Sequence, residues 1–190
     1  MKLRSLVLLA FLTVAGASAA PVYYSAVLGN FENPPTGSPG TGFVLVSLDT
    51  ILHQLTIEVT FSGLTGNTTA AHIHCCVVAP GNASVVVQPG TLSGFPLGVT
   101  SGVYSILLDT TQASTYTAAF VTANGGTTAG AEAALAAGLS AGQSYFNVHT
   151  TLFPGGEIRG FLVATPEPGT YALLGLGLAG LAFLRHKVKI

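Results

Sequence analysis

Charged residues are scarce in this 190-residue chain, where Asp, Glu, Lys and Arg together make up 7%. Tryptophan is absent, methionine occurs once, and there are only two cysteines. Five of the six Lys and Arg (Lys2, Arg4, Arg185, Lys187, Lys189) lie at the chain ends, which leaves Arg159 as the only cation between residues 21 and 165. The same stretch carries Glu32, Asp49, Glu58, Asp109, Glu132 and Glu157, so one positive against six negative charges leaves −5. That balance excludes nucleic acid as a partner, because binding phosphates takes clustered Lys and Arg. Cys75 and Cys76 are adjacent and cannot staple distant segments, so the core must hold the fold. They read as two small half-buried residues, as a vicinal disulfide, or as ligands for a metal or another chain. A P-loop and His-Glu-x-x-His are missing, and the carboxylates are scattered. The chain therefore offers no catalytic residue, and it reads as a non-enzyme.

Long apolar runs occur only at the ends. At the N-terminus, Lys2 and Arg4 precede the apolar stretch 6–14 and the small residues Ala17-Ser18-Ala19-Ala20. This is the layout of a signal peptide, with cleavage by signal peptidase after Ala19 or Ala20. The stretch is too short for an anchor, since roughly 20 apolar residues are needed to cross a bilayer. At the C-terminus, Pro166-Glu167-Pro168 is followed by the apolar run 171–184 and the basic tail Arg185-His186-Lys187-Val188-Lys189. Positive residues beside apolar segments stay on the cytoplasmic side, so both ends agree on topology. Gly175, Gly177, Ala179 and Gly180 make a poor core helix but allow close helix approach in a membrane. The order of triplet, apolar transmembrane segment and basic tail resembles the PEP-CTERM sorting signal. That resemblance implies export, transient tethering at the inner membrane of a Gram-negative bacterium, and removal of the tail by an exosortase-type enzyme. A permanent anchor is the other reading.

The expected division is 1–20 signal peptide, 21–164 domain and 165–190 sorting signal. The central piece, about 145 residues, is long enough for one domain with its own core. Apolar and polar residues alternate in short runs between Gly, Pro and Asn turns, which predicts strands over 22–28, 42–49, 54–62, 71–77, 102–108, 145–150 and 157–163. In 54–62, Leu55, Ile57, Val59 and Phe61 alternate with Thr56, Glu58 and Thr60, the pattern of a half-buried strand. Seven such runs predict an all-β antiparallel β-sandwich of the Ig-like or superoxide-dismutase-like type. Residues 129–137 are strong helix formers, with Thr127 or Thr128 as N-cap and Gly138 at the end, and predict one short crossover helix. Residues 33–42 and 80–101 read as loops.

Ala71-His72-Ile73-His74 sets two imidazoles two residues apart, which on a strand puts them on one face about 7 Å apart. His149 supplies a third strand-borne imidazole. Three neutral imidazoles suit zinc or copper; the alternative is a hydrogen-bonded set that holds loops. Glu157 and Arg159 are expected on one face of the last strand, as a structural ion pair or as the groups that orient a metal-bound histidine. His53 reads as a solvated turn residue.

Asn33-Pro34-Pro35, Phe61-Ser62-Gly63-Leu64, Ala70-Ala71-His72-Ile73-His74, the 145–150 run and Gly156-Glu157-Ile158-Arg159-Gly160 follow one another in an order that resembles the CHRD domain. The resemblance implies a sandwich module of undefined activity, and the sorting signal implies a setting of exopolysaccharide and biofilm. The His-x-His strand is also similar to that of Cu/Zn superoxide dismutase. Residues 21–165, however, contain only His53, His72, His74 and His149, enough for a mononuclear site at most. Two expectations follow. One is a non-catalytic module at the cell surface or in the matrix, with extracellular polysaccharide or matrix proteins as partners. The other is a mononuclear copper or zinc site at His72, His74 and His149 that serves metal binding or, as a metal-dependent oxidoreductase, redox chemistry.

Overall fold

The computed structural model describes residues 21–165, 175–178 and 185. The expected cleavage site at Ala19 and Ala20, the Pro166-Glu167-Pro168 triplet, His186 and most of the apolar run 171–184 lie outside the described residues. Among the described residues, no helix is long and apolar enough to cross a membrane.

Among the described residues, nine strands form two antiparallel sheets, an all-β sandwich. The first sheet takes β1 (Val22–Leu28), β2 (Thr41–Asp49), β3 (Gln54–Ser62), β6 (Gly102–Asp109) and β9 (Val163–Thr165), in the order β6-β3-β2-β1-β9. The second takes β4 (Thr68–Cys75), β5 (Val85–Val87), β7 (Ser144–Thr150) and β8 (Ile158–Phe161), in the order β5-β4-β7-β8. Helices α1 (Ala118–Ala123) and α2 (Thr128–Ser140) lie in the connection from β6 to β7.

The core comes directly from the alternation. Val44, Val46, Leu55, Ile57 and Val59 of the first sheet are buried in one cluster with Ala71, Ile73, Phe146, Val148 and Ile158 of the second. Leu135 and Leu139 of α2 join the same cluster. Burying a side chain of this size stabilises the fold by about 1.5–3 kcal/mol, so the sandwich holds without long-range disulfides.

Three expectations need correction. The single strand expected over 157–163 is two, because β8 pairs with β7 while β9 leaves it and pairs with β1 on the other sheet. Leu162, fully buried at that crossing, anchors the change of sheet. The expected loop 80–101 contains β5, whose Val85 and Val87 pair with β4. The helix does not stop at Gly138. It runs on to Ser140 and turns at Gly142, whose φ of 65° permits the reversal. Gly138 is required for another reason: a Cβ there would collide with the sulfurs of Cys75 and Cys76.

One strand pair departs from the half-buried pattern. β4 is buried continuously from Ala71 to Cys75, and β7 from Ser144 to Val148. Their inner faces pack on the first sheet, and their outer faces are roofed by loops. That roof creates the site.

Candidate metal centre

Strand pleating puts His72 and His74 of β4, and Tyr145, Asn147 and His149 of β7, on the same outer face. The register sets His72 opposite Asn147, His74 opposite Tyr145 and His149 opposite Ala70, so His149 lies diagonal to His72. Ring centroids are 5.0 Å apart for His72 and His149, 5.7 Å for His72 and His74, and 5.8 Å for His74 and His149. One ring nitrogen from each histidine lies within 4.8 Å of the others.

The roofing loops decide which nitrogens are free. His72 Nε2 is 2.9 Å from Gly90 O, His74 Nδ1 2.9 Å from Ala83 O, and His149 Nδ1 2.9 Å from Pro154 O. A carbonyl only accepts, so each of those nitrogens carries the proton and donates. The other nitrogen of each ring is left as a bare lone pair. These are His72 Nδ1, His74 Nε2 and His149 Nε2, all buried and without a partner. A carbonyl that fixes the tautomer from behind is the arrangement in which histidine binds metal.

Electrostatics keep the rings neutral. Burial pushes the His74 imidazolium down to about 4, with the Ala83 hydrogen bond opposing it and His149, His72 and Arg159 adding to it. Burial likewise lowers His72 and His149. His74 also stacks on Tyr145, centroids 4.7 Å apart, and Arg159 lies over the far side of the system, 4.8 Å from the Tyr145 ring.

Glu157 and Arg159 do not pair with each other. Arg159 is fully buried and donates to Phe31 O, Gly81 O, Pro80 O and Asn82 Oδ1, with Glu32 Oε2 3.6 Å away as its carboxylate. It clamps the loop after β1 to the loop after β4, whose Ala83 carbonyl holds His74. Glu157 accepts from Ser38 Oγ (2.6 Å), Thr65 N (2.5 Å), Thr65 Oγ1 (2.7 Å), Gly66 N (3.0 Å) and Thr150 Oγ1 (2.7 Å). That ties three segments to the residue following His149. His53 is not merely solvated; its Nδ1 lies 3.0 Å from Glu132 Oε2 on α2.

Cys75 and Cys76 are joined as a vicinal disulfide. Cys75 is buried with the inner-face residues, and both sulfurs lie against Gly138, so no thiolate is offered to the histidines. Sequence reasoning missed Glu32 and Asn147. Asn147 was within reach, since it falls between Tyr145 and His149 in the same alternation; Glu32 carries no local signal.

A family model described as CHRD domain matches residues 23–162, and one described as PEP-CTERM protein-sorting motif matches residues 164–187. No curated protein and no solved structure matches the chain. The sorting motif marks an exported bacterial protein directed to the cell surface and processed by exosortase-type machinery.

Proposed function

This chain belongs to the CHRD domain family, and on that premise we propose that it is a non-catalytic exported module holding one copper or zinc ion between His72, His74 and His149. The observation that carries the reading is the convergence of three unpartnered imidazole nitrogens, each ring locked from behind by a carbonyl. Three atoms no more than 4.8 Å apart lie within about 2.8 Å of a common centre. Zinc–nitrogen bonds are about 2.0–2.1 Å, so small ring movements complete the site. Imidazole suits copper and zinc over harder cations, and with three protein ligands the ion keeps one position for an exogenous ligand. Copper there would add electron exchange; zinc would not.

The finer setting belongs to the same proposal. Removal of the tail leaves the module at the surface or in the extracellular matrix of a Gram-negative cell, beside exopolysaccharide or matrix proteins in a biofilm. The PEP triplet, the apolar run and the basic end support this order of events, and the net charge of the exported piece suits a soluble component.

The test is metal content. The full chain is equilibrated with copper and zinc, freed of excess, and measured by mass spectrometry beside a His72→Ala/His74→Ala/His149→Ala variant whose circular dichroism is unchanged. About one equivalent in the wild type and none in the variant is expected. Equal metal in both, or none in either, overturns the proposal. Deleting the gene and weighing the recovered matrix polysaccharide tests the setting separately.

A further inference from the structure

Two more buried acceptors face the same region, and nothing donates to them. Asn147 stands between His72 on β4 and Arg159 on β8. Its Nδ2 donates to Gly155 O at 3.3 Å, and its Oδ1 has no partner. Glu32 reaches in from the loop after β1, with Oε2 toward Arg159 and a buried Oε1 that is likewise unpartnered. The two groups meet at Gly156, whose φ is 126°; a Cβ there would stand 2.6 Å from Glu32 Oε1 and collide with the Asn147 amide. Among the described residues, then, five unpartnered buried side-chain atoms gather against one sheet face: three imidazole nitrogens and two oxygens, all acceptors.

A cleft of about 430 Å³ opens beside them, its wall including Glu32, Thr36, His74, Asn82, Tyr145 and Gly156. Most of the side-chain donors on that wall are already used. Thr36 Oγ1 donates to Glu157 O, Asn82 Nδ2 to Asn33 O, and Tyr145 OH to Ala83 O. The Arg159 guanidinium donates to three carbonyls and to Asn82 Oδ1 and does not line the cleft, while Asn147 stands directly behind Gly156, which does. An anion entering here meets acceptors, whereas a molecule that carries hydrogens to donate satisfies them. Burial, partly offset by Arg159, raises the Glu32 acid to about 7, so Glu32 is a pure acceptor only where it is ionised, above that pH.

We infer that this cleft admits the exogenous ligand of the metal, and that Glu32 and Asn147 select a neutral protic oxygen ligand, water or a small alcohol, over an aprotic anion. The inference rests on the three-histidine metal reading. Both residues act as positioning groups on the ligand's hydrogens and stay off the metal itself.

The probes are azide, an anion with no hydrogen to give, and methanol, which has one. The full chain is loaded with Cu(II); azide is followed by its charge-transfer absorption and methanol by electron paramagnetic resonance. Glu32→Gln replaces an acceptor by a group that can donate, and is expected to tighten azide about tenfold, the worth of one hydrogen bond of ordinary strength. Methanol is expected to weaken in the same variant, a reversal that loss of a repelling charge alone would not produce. Asn147→Asp tests from the opposite side and is expected to weaken azide. Azide affinities equal in all three proteins, or azide and methanol moving together in Glu32→Gln, overturn the inference and leave the metal site standing. A wild-type chain that takes up no copper overturns both.

Discussion

Replacing Glu157 with Gln probes what holds the roof over the histidines. The Glu157 carboxylate is fully buried and accepts five hydrogen bonds from Ser38, Thr65, Gly66 and Thr150. Burial alone would raise its pKa, but these donors outweigh burial and bring it from 4.5 down to about 2. Each pKa unit is worth 1.36 kcal/mol, so a lowering of this size, discounted for solvent screening, stands for about 2 kcal/mol. The hydrogen-bond view agrees: a bond to a charged group is worth about 1.5–3 kcal/mol, and Gln must aim its NH₂ at one set of donors. Because the folded pKa lies below the unfolded one, this stability is fully present above about pH 4.5 and is lost as pH falls toward about 2. Urea unfolding is therefore expected to place Glu157→Gln about 2–3 kcal/mol below the wild type at pH 7, with the gap narrowing steadily between pH 4.5 and 2. A variant within about 0.5 kcal/mol of the wild type at pH 7, or a gap that ignores acid, would refute the reasoning.

Other perturbations separate the remaining forces. His74 titrates in the same sense at higher pH: its folded pKa of about 4 lies below the unfolded 6.5, so the unfolded chain takes up the proton first. The metal-free protein should then lose up to about 3 kcal/mol as pH falls from 6.5 to about 4, and His74→Phe should flatten that part of the pH–stability curve. Arg159→Lys keeps the charge but loses the planar fork that spans Phe31, Pro80, Gly81 and Asn82. We expect a loss of about 3–5 kcal/mol, together with weaker metal uptake as the loops loosen; unchanged stability would mean the clamp is idle. Gly138→Ala gains about 1 kcal/mol of helix propensity but drives a methyl into the Cys75–Cys76 sulfurs, so a net loss of about 1–2 kcal/mol is expected by thermal unfolding. A more stable variant would show that α2 does not press on the disulfide.

Much of the fold was legible because strand alternation is local. Gln54–Ser62 begins and ends where its polar and apolar residues stop alternating, and Thr127 caps α2 because a threonine hydroxyl before a helix-forming run can accept from Gly130 N. The division of 157–163 between two sheets was not legible, since alternation says which side a residue faces but not which strand it will pair with. Val85–Val87 was hidden for the same reason: three residues carry too little pattern to mark a strand, and only pairing with β4 makes them one. Gly138 resembled a helix stop because glycine ends helices freely; its true reason, two sulfurs pressed against the helix, comes from a residue pair far away in the chain.

The same boundary runs through the site. By itself the sequence determined the C-terminal sorting motif, the near-absence of cations, and the pairing of His72 with His74 on one strand face, because motif order, charge count and a two-residue period need no tertiary partner. Only the tertiary structure decided the rest. The register of β7 on β4 brought His149 diagonal to His72, and the carbonyls of Gly90, Ala83 and Pro154 chose which nitrogen of each ring stays bare. Arg159 drew Glu32 as its carboxylate and left Glu157 to the hydroxyls. A backbone carbonyl is the same atom in every residue, so its role leaves no trace in the sequence; it is assigned only when folding sets a loop against a ring.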